Sequence, residues 1–209
     1  VATARETYGC ADMKPPLPRT VGLVGLGLMG SALTVRLLRA GFSVVGFDVD
    51  PRRLRSFGNS GGRPAGSAAE IALRCERILF SLPTTEAVES VLDQMRDTLR
   101  AGSILIDTTT GEPDCTAALG ANLARKRWRY LDATIVGSST ETRAGRVIAL
   151  VGGTRKTFLE SKDILDSFAA QVFHVGRSAR KGPAINAYHP PRLFAMQPPR
   201  EQLAQAPAN

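Results

Sequence analysis

Cysteine is scarce in this sequence. Cys10, Cys75 and Cys115 are far apart, odd in number and free of any C-x-x-C spacing, which excludes a disulfide framework and a cysteine-based zinc site and fits a reducing compartment. No metal site is expected. No apolar run approaches the eighteen or so residues that a membrane span requires, and aromatic residues make up only 6% of the chain. The first twenty residues hold Arg5, Glu6, Asp12 and Lys14 with no apolar core between them, so they lack the hydrophobic region of a secretory signal. Residues 1–19 are expected to be a flexible leader with Met13 as an alternative start, and the protein to be cytoplasmic, with no membrane contact.

Acidic residues are outnumbered, 19 against 27 Lys and Arg, for a net charge of +8. A nucleic-acid binder would gather such an excess on one face. Here it is scattered. Arg177, Arg180, Lys181, Arg192 and Arg200, set against Glu201, place half of the excess in the last part of the chain. The one dense run, Arg125-Lys126-Arg127 with Arg129, falls where a helix should end and where cations complement its dipole. Trp128, the sole aromatic within it, is too little for a base-stacking platform. No nucleic-acid partner is expected.

What is present suits one buried core: 209 residues, 43% hydrophobic and 22% charged. From Thr20, short β-branched apolar runs alternate with helix-length amphipathic stretches, the pattern of a parallel sheet covered by helices. Strands are predicted at 21–24, 43–47, 77–82, 103–106, 130–133, 147–151 and 172–175. Helices are predicted at 28–40, 51–57, 67–75, 86–99, 113–126 and 156–169, with a Gly/Ser/Thr-rich loop after Ala133 and a chain turn at Gly152-Gly153. The fold class is therefore α/β: a Rossmann-type, doubly wound and mainly parallel sheet over residues 20–176. Pro183, Pro190, Pro191, Pro198, Pro199 and Pro207 punctuate residues 177–209, which are expected to form an irregular tail because proline breaks helices.

Gly25-Leu26-Gly27-Leu28-Met29-Gly30 is a G-x-G-x-x-G lying between a predicted strand and a predicted helix. In that setting Gly25 serves a tight turn, Gly27 admits a pyrophosphate against the backbone, and Gly30 lets helix and strand pack closely. Asp48 ends the second strand, eighteen residues beyond Gly30, where a carboxylate accepts from the adenosine ribose hydroxyls and repels a 2′-phosphate. Arg52 and Arg53 follow and offset part of that repulsion. The expected cofactor is NAD, with NADP less favoured.

Four further segments in the same order make the chain resemble the β-hydroxyacid dehydrogenases, the group with 3-hydroxyisobutyrate dehydrogenase, tartronate semialdehyde reductase and the cofactor domain of 6-phosphogluconate dehydrogenase. The G-x-M-G ending of the glycine motif is typical of that group. Leu82-Pro83-Thr84 is similar to its L-P-T/S, which implies that Leu82 and Pro83 line the cofactor. Asp107-Thr108-Thr109-Thr110 with Pro113 is similar to its D-x-S-T-x-x-P, and implies a cofactor contact at Thr110. Asp132-Ala133-Thr134-Ile135-Val136-Gly137-Ser138 partly matches the substrate motif D-A-P-V-S-G-G, implying substrate contacts at Gly137 and Ser138. Thr134 replaces the proline there, and Val136 replaces the serine that would bind the substrate. Gly145 and Val151-Gly152-Gly153 echo further glycines of the family, and Phe173-His174-Val175-Gly176 echoes its last Rossmann strand, so His174 reads as a strand residue.

The resemblance implies hydride transfer between a small 3-hydroxy acid and the nicotinamide, with a lysine as proton relay in a G-x-G-x-x-x-K-x-x-x-N motif. Lys181 is the nearest match, out of register, with Asn186 five residues after it. The helical domain of the family has no counterpart in residues 177–209, an outcome that a truncation or a shifted reading frame would produce. Low activity, an alternative role as a cofactor-binding module without turnover, and self-association through surface left uncovered are the expectations that follow.

Overall fold

In the computed structural model of the chain, residues 19–111 and 113–176 are described. The leader and the tail, with Lys181, lie outside the described residues. Eight strands form one sheet in the order β3-β2-β1-β4-β5-β6-β7-β8. They are β1 (Thr20–Val24), β2 (Ser43–Phe47), β3 (Arg63–Pro64), β4 (Arg77–Phe80), β5 (Ile104–Asp107), β6 (Arg129–Val136), β7 (Val147–Gly153) and β8 (Ala169–Gly176). Among the described residues the helices are α1 (Leu28–Arg39), α2 (Pro51–Asn59), α3 (Ala68–Arg74), α4 (Thr85–Met95), α5 (Pro113–Arg125), α6 (Ser139–Ala144), α7 (Arg155–Glu160) and α8 (Lys162–Phe168). This is the doubly wound α/β arrangement that the sequence pattern predicts.

Several helices begin where a side chain can satisfy the free N–H groups of a first turn. Asp50 caps α2, Ser67 caps α3 and Thr84 caps α4. Successive strand residues face opposite sides, so the β-branched runs supply two cores. On one side Val21, Leu23, Leu33, Leu37, Ile164 and Phe168 close together. On the other, Ile78, Leu105, Val88, Leu92, Leu119 and Trp128 do the same. Fully burying one such aliphatic side chain stabilises by about 1.5–3 kcal/mol, so these two layers hold the sheet that carries the loops.

The structure corrects the sequence reading at several points. Gly152 and Gly153 do not turn the chain; they pair with Asp132 and Leu131 inside β7. The expected single helix over 156–169 is two, because Ser161 interrupts it. The expected loop after Ala133 is mostly ordered: β6 runs on to Val136, and Ser138 and Glu141 form a reciprocal capping box that starts α6. A strand not anticipated, β3, adds two residues at the far edge beside β2. β7 lies antiparallel to β6 while β8 is parallel to β7.

The register puts one residue of each of six strands into a single row. Val24 pairs with Phe80, Phe80 with Asp107, Asp107 with Asp132, Asp132 with Gly152 and Gly152 with Gly176. β8 therefore ends level with the point at which β1 hands over to the glycine motif. On the α5 side of β6–β8 the sheet is open among the described residues: Val136 and Phe173 are 50% and 45% exposed, and Ile148 and Leu150 are only partly buried.

Candidate functional site

The glycine motif connects β1 to α1. Gly25 adopts φ +92°, and a Cβ there would stand 2.2 Å from the Ser81 carbonyl oxygen, so the turn admits no side chain. At Gly30 a Cβ would meet the Gly25 carbonyl oxygen at 1.9 Å, which fixes this glycine as the contact between helix and turn. Gly27 differs. A Cβ there would find nothing nearer than Arg53 Nη1 at 3.8 Å, so the folded chain itself leaves this position open. Gly27 is also the N-cap of α1, without a side-chain cap, and the first turn holds no acidic residue. The free N–H groups and positive dipole end of α1 thus face outward, an arrangement suited to an anion.

Asp48 follows β2 and is buried. Its Oδ2 accepts from the Leu26 N–H at 2.7 Å and its Oδ1 from the Asp50 N–H at 2.9 Å. Arg53 Nη1 lies 3.4 Å from Oδ2. The carboxylate thereby joins the glycine turn to the start of α2, with lone pairs left for a further donor.

A cleft of about 460 Å³ opens beside these groups. Gly25, Gly27, Leu28 and Met29 form one wall, Asp48, Val49 and Arg53 a second, and Leu82 and Pro83 a third. Seven of the residues singled out in the sequence for cofactor contact are thus brought together; an eighth, Gly30, packs behind them. Leu28 and Val49 are 82% and 88% exposed, apolar surface at the mouth of the cleft. Thr110, the ninth, is exposed on the loop after β5. Its neighbour Thr109, which sequence reasoning passed over, accepts a hydrogen bond from the Leu82 N–H at 3.3 Å.

The loop after β5 is anchored by the buried carboxylate of Asp107. Asp107 Oδ1 accepts from the Thr109 N–H at 2.9 Å and Oδ2 from the Tyr130 hydroxyl at 2.7 Å. Burial raises the Asp107 carboxyl above the usual range, against the lowering effect of the bonds from Thr109 and Tyr130. Asp132, beside it on β6, is pushed up to about 7 by burial and by the charge of Asp107.

The two candidate substrate residues stand together after β6. Gly137 adopts φ +142°, and the Ser138 hydroxyl accepts from the Glu141 N–H and donates to Glu141 Oε2. Val136 is half-exposed at the end of β6. His174 lies in β8, its ring nitrogen 2.9 Å from the Gly153 carbonyl oxygen. Among the described residues no group of His, Cys, Asp and Glu is arranged to hold a metal ion, and no helix is long and apolar enough to cross a membrane.

Residues 20–176 match the family model of the NAD binding domain of 6-phosphogluconate dehydrogenase. The chain belongs to the β-hydroxyacid dehydrogenase family. L-threonate dehydrogenase of Cupriavidus necator is 30% identical over 172 residues, covering 81% of this chain and 58% of that protein. Mitochondrial 3-hydroxyisobutyrate dehydrogenase of Mus musculus is 30% identical over 159 residues, 75% of this chain and 48% of that protein. In fold, the chain resembles Mycobacterium tuberculosis 3-hydroxyisobutyrate dehydrogenase solved with L-serine, with a TM-score of 0.78 at 24% identity, over 82% of this chain and 59% of that one. This β-hydroxyacid dehydrogenase family chain spans about half the length of the curated relatives it matches.

Proposed function

We propose that residues 20–176 bind NAD(H), in preference to NADP(H), as the cofactor half of an oxidoreductase acting on a small 3-hydroxy acid. The observation that carries the reading is Gly27. Gly25 and Gly30 are required by the protein's own packing, whereas the space a side chain would take at Gly27 is empty of protein atoms out to Arg53, as it must be where a pyrophosphate lies on the backbone. In this assignment the N-terminus of α1 and Gly27–Gly30 hold the diphosphate, Asp48 accepts from the ribose hydroxyls, and Leu82, Pro83 and Thr110 border the nicotinamide half. The bound nicotinamide would supply the hydride chemistry. Asp48 favours NAD because a 2′-phosphate beside a buried carboxylate is a like-charge contact that Arg53, half-exposed, relieves only in part. Calorimetric titration with NADH and NADPH tests this: Gly27→Val should abolish NADH binding, and tighter binding of NADPH to the unmodified protein would overturn the preference.

Gly137 and Ser138 are assigned to the substrate, and Lys181 to the proton relay. A second reading, a cofactor-holding module with little or no turnover, is favoured by Val136, which offers no hydroxyl where the family motif has serine, and by Ser138, whose hydroxyl is engaged in capping α6. NADH absorbance with 3-hydroxyisobutyrate, glycerate, threonate and 6-phosphogluconate separates the two. Turnover of about 1 s⁻¹ or more on any of them lies in the usual enzyme range and would sink the second reading.

A further inference from the structure

We infer that Tyr130 and Asp107 are positioning residues of the cofactor cleft, acting through Thr109 on the wall that Leu82 forms. The inference rests on the proposal that this cleft holds NAD(H).

Three hydrogen bonds carry the relay. The Tyr130 hydroxyl, from β6, donates to Asp107 Oδ2 at 2.7 Å; the Thr109 N–H donates to Oδ1 at 2.9 Å; the Leu82 N–H donates to Thr109 Oγ1 at 3.3 Å. Leu82 lines the cleft. A carboxylate held at both oxygens from two directions cannot rotate, so it fixes Thr109, and Thr109 fixes Leu82, the second residue of the loop after β4. Asp107 also stands in the row of paired residues that begins at Val24, where the glycine motif leaves β1. The two sides of the cleft are thus set from one level of the sheet, and Tyr130 reaches that level from a neighbouring strand.

The relay needs both Asp107 oxygens as acceptors. A proton on either competes with Tyr130 or with Thr109, so the relay weakens when Asp107 becomes neutral. The titratable groups beside it are Tyr130, which bonds to it, and Asp132, its register partner, both on β6; β4, on its other side, presents Phe80, and among the described residues no cation from α4 or α5 contributes to its shift. Burial raises both carboxyls, and the donors from Tyr130 and Thr109 favour the charged form at Asp107. Without the Tyr130 hydroxyl, Asp107 takes its proton at higher pH.

The test is NADH affinity measured by fluorescence titration between pH 5 and 9, with the thermal midpoint recorded for each variant. Tyr130→Phe should weaken NADH roughly three- to tenfold at pH 8, the loss of about one hydrogen bond's net free energy, and move the acid-side fall in affinity to higher pH. Asp132→Asn should bind NADH at pH 8 as the unmodified protein does, with no upward move of that fall. Thr109→Val should weaken NADH to a similar extent while Thr109→Ser restores it, which keeps the inference testable if Tyr130→Phe fails to fold. Unchanged affinity in both Tyr130→Phe and Thr109→Val, or a loss in Tyr130→Phe with an unmoved pH profile, would overturn it. No NADH binding by the unmodified protein would instead overturn the reading of the cleft itself.

Discussion

The carboxylate of Asp48 and the backbone N–H of Leu26 are joined by a hydrogen bond of 2.7 Å across the gap between the end of β2 and the glycine motif. Asp48 is therefore a structural tie as well as a candidate ribose acceptor. Replacing it with alanine leaves the Leu26 and Asp50 N–H groups without their acceptor, and the loss of a charged hydrogen-bond partner in a buried place costs about 1.5–3 kcal/mol. Asp48→Ala should lower stability in a denaturant titration by that order and weaken NADH binding as well. Asp48→Asn, which keeps one oxygen, should lose less stability and narrow the gap between NADH and NADPH.

The glycines of the motif should separate cleanly by experiment. Gly30→Ala places a Cβ against the Gly25 carbonyl oxygen, a backbone atom that cannot swing aside, and overpacking of this kind costs about 1–3 kcal/mol or more. Gly27→Ala meets no such obstacle. Thermal unfolding should show a lowered midpoint for Gly30→Ala and an unmoved one for Gly27→Ala, whereas NADH titration should show weakened binding for both.

A second ion-paired link lies at the opposite end of the strands. Arg77 at the start of β4 is almost fully buried and donates to Asp163 at 2.7 Å and to the Glu160 carbonyl oxygen, beneath the Phe42 ring. Asp163→Asn should destabilise strongly, by about 3 kcal/mol, because it takes a counter-charge away from the buried Arg77 guanidinium. Arg77→Met, which removes the buried charge and keeps much of the side-chain volume, should cost less, since the Asp163 carboxylate it leaves is half-exposed and is solvated. Chemical denaturation of the two variants decides between these outcomes.

Asp132 gives the fold a pH dependence of known sign. Its carboxyl, at about 7 when folded against the ordinary 3.8, holds a proton that the unfolded chain has released, so stability is greatest below about pH 4 for this group and declines as pH rises to about 7. The cost above that point is up to about 4 kcal/mol. Asp132→Asn should remove this decline, making the variant more stable than the unmodified protein at pH 8 and equal to it at pH 4. A parallel pair of stability curves would refute the assignment.

The open side of β6–β8 should drive self-association, since exposed apolar surface of this kind seeks a cover. Sedimentation velocity should show a concentration-dependent species that Phe173→Ser, at a side chain 45% exposed, shifts toward monomer.

The motif residues were legible because their chemistry depends on local spacing: three glycines at a strand–helix junction and an acid at the end of the next strand. The α6 helix carried its own signal, Ser138 three residues before Glu141, yet the density of Gly, Ser and Thr around it reads as loop. Gly152 and Gly153 look like a turn because two glycines usually are one; here a Cβ on Gly153 would strike Leu131 at 2.5 Å, so close packing against β6 selects the glycine within a strand. The Tyr130–Asp107 bond was not legible at all. Its partners are 23 residues apart, and only the register of β5 against β6 brings them together.

That register also measures how far the chain after β8 has to travel. Gly176 ends β8 in the row that contains Asp107, three strands away, a sideways distance of about 14 Å at ordinary strand spacing. Five residues of extended backbone reach about 17 Å, so Lys181 has enough tether to arrive at the loop after β5.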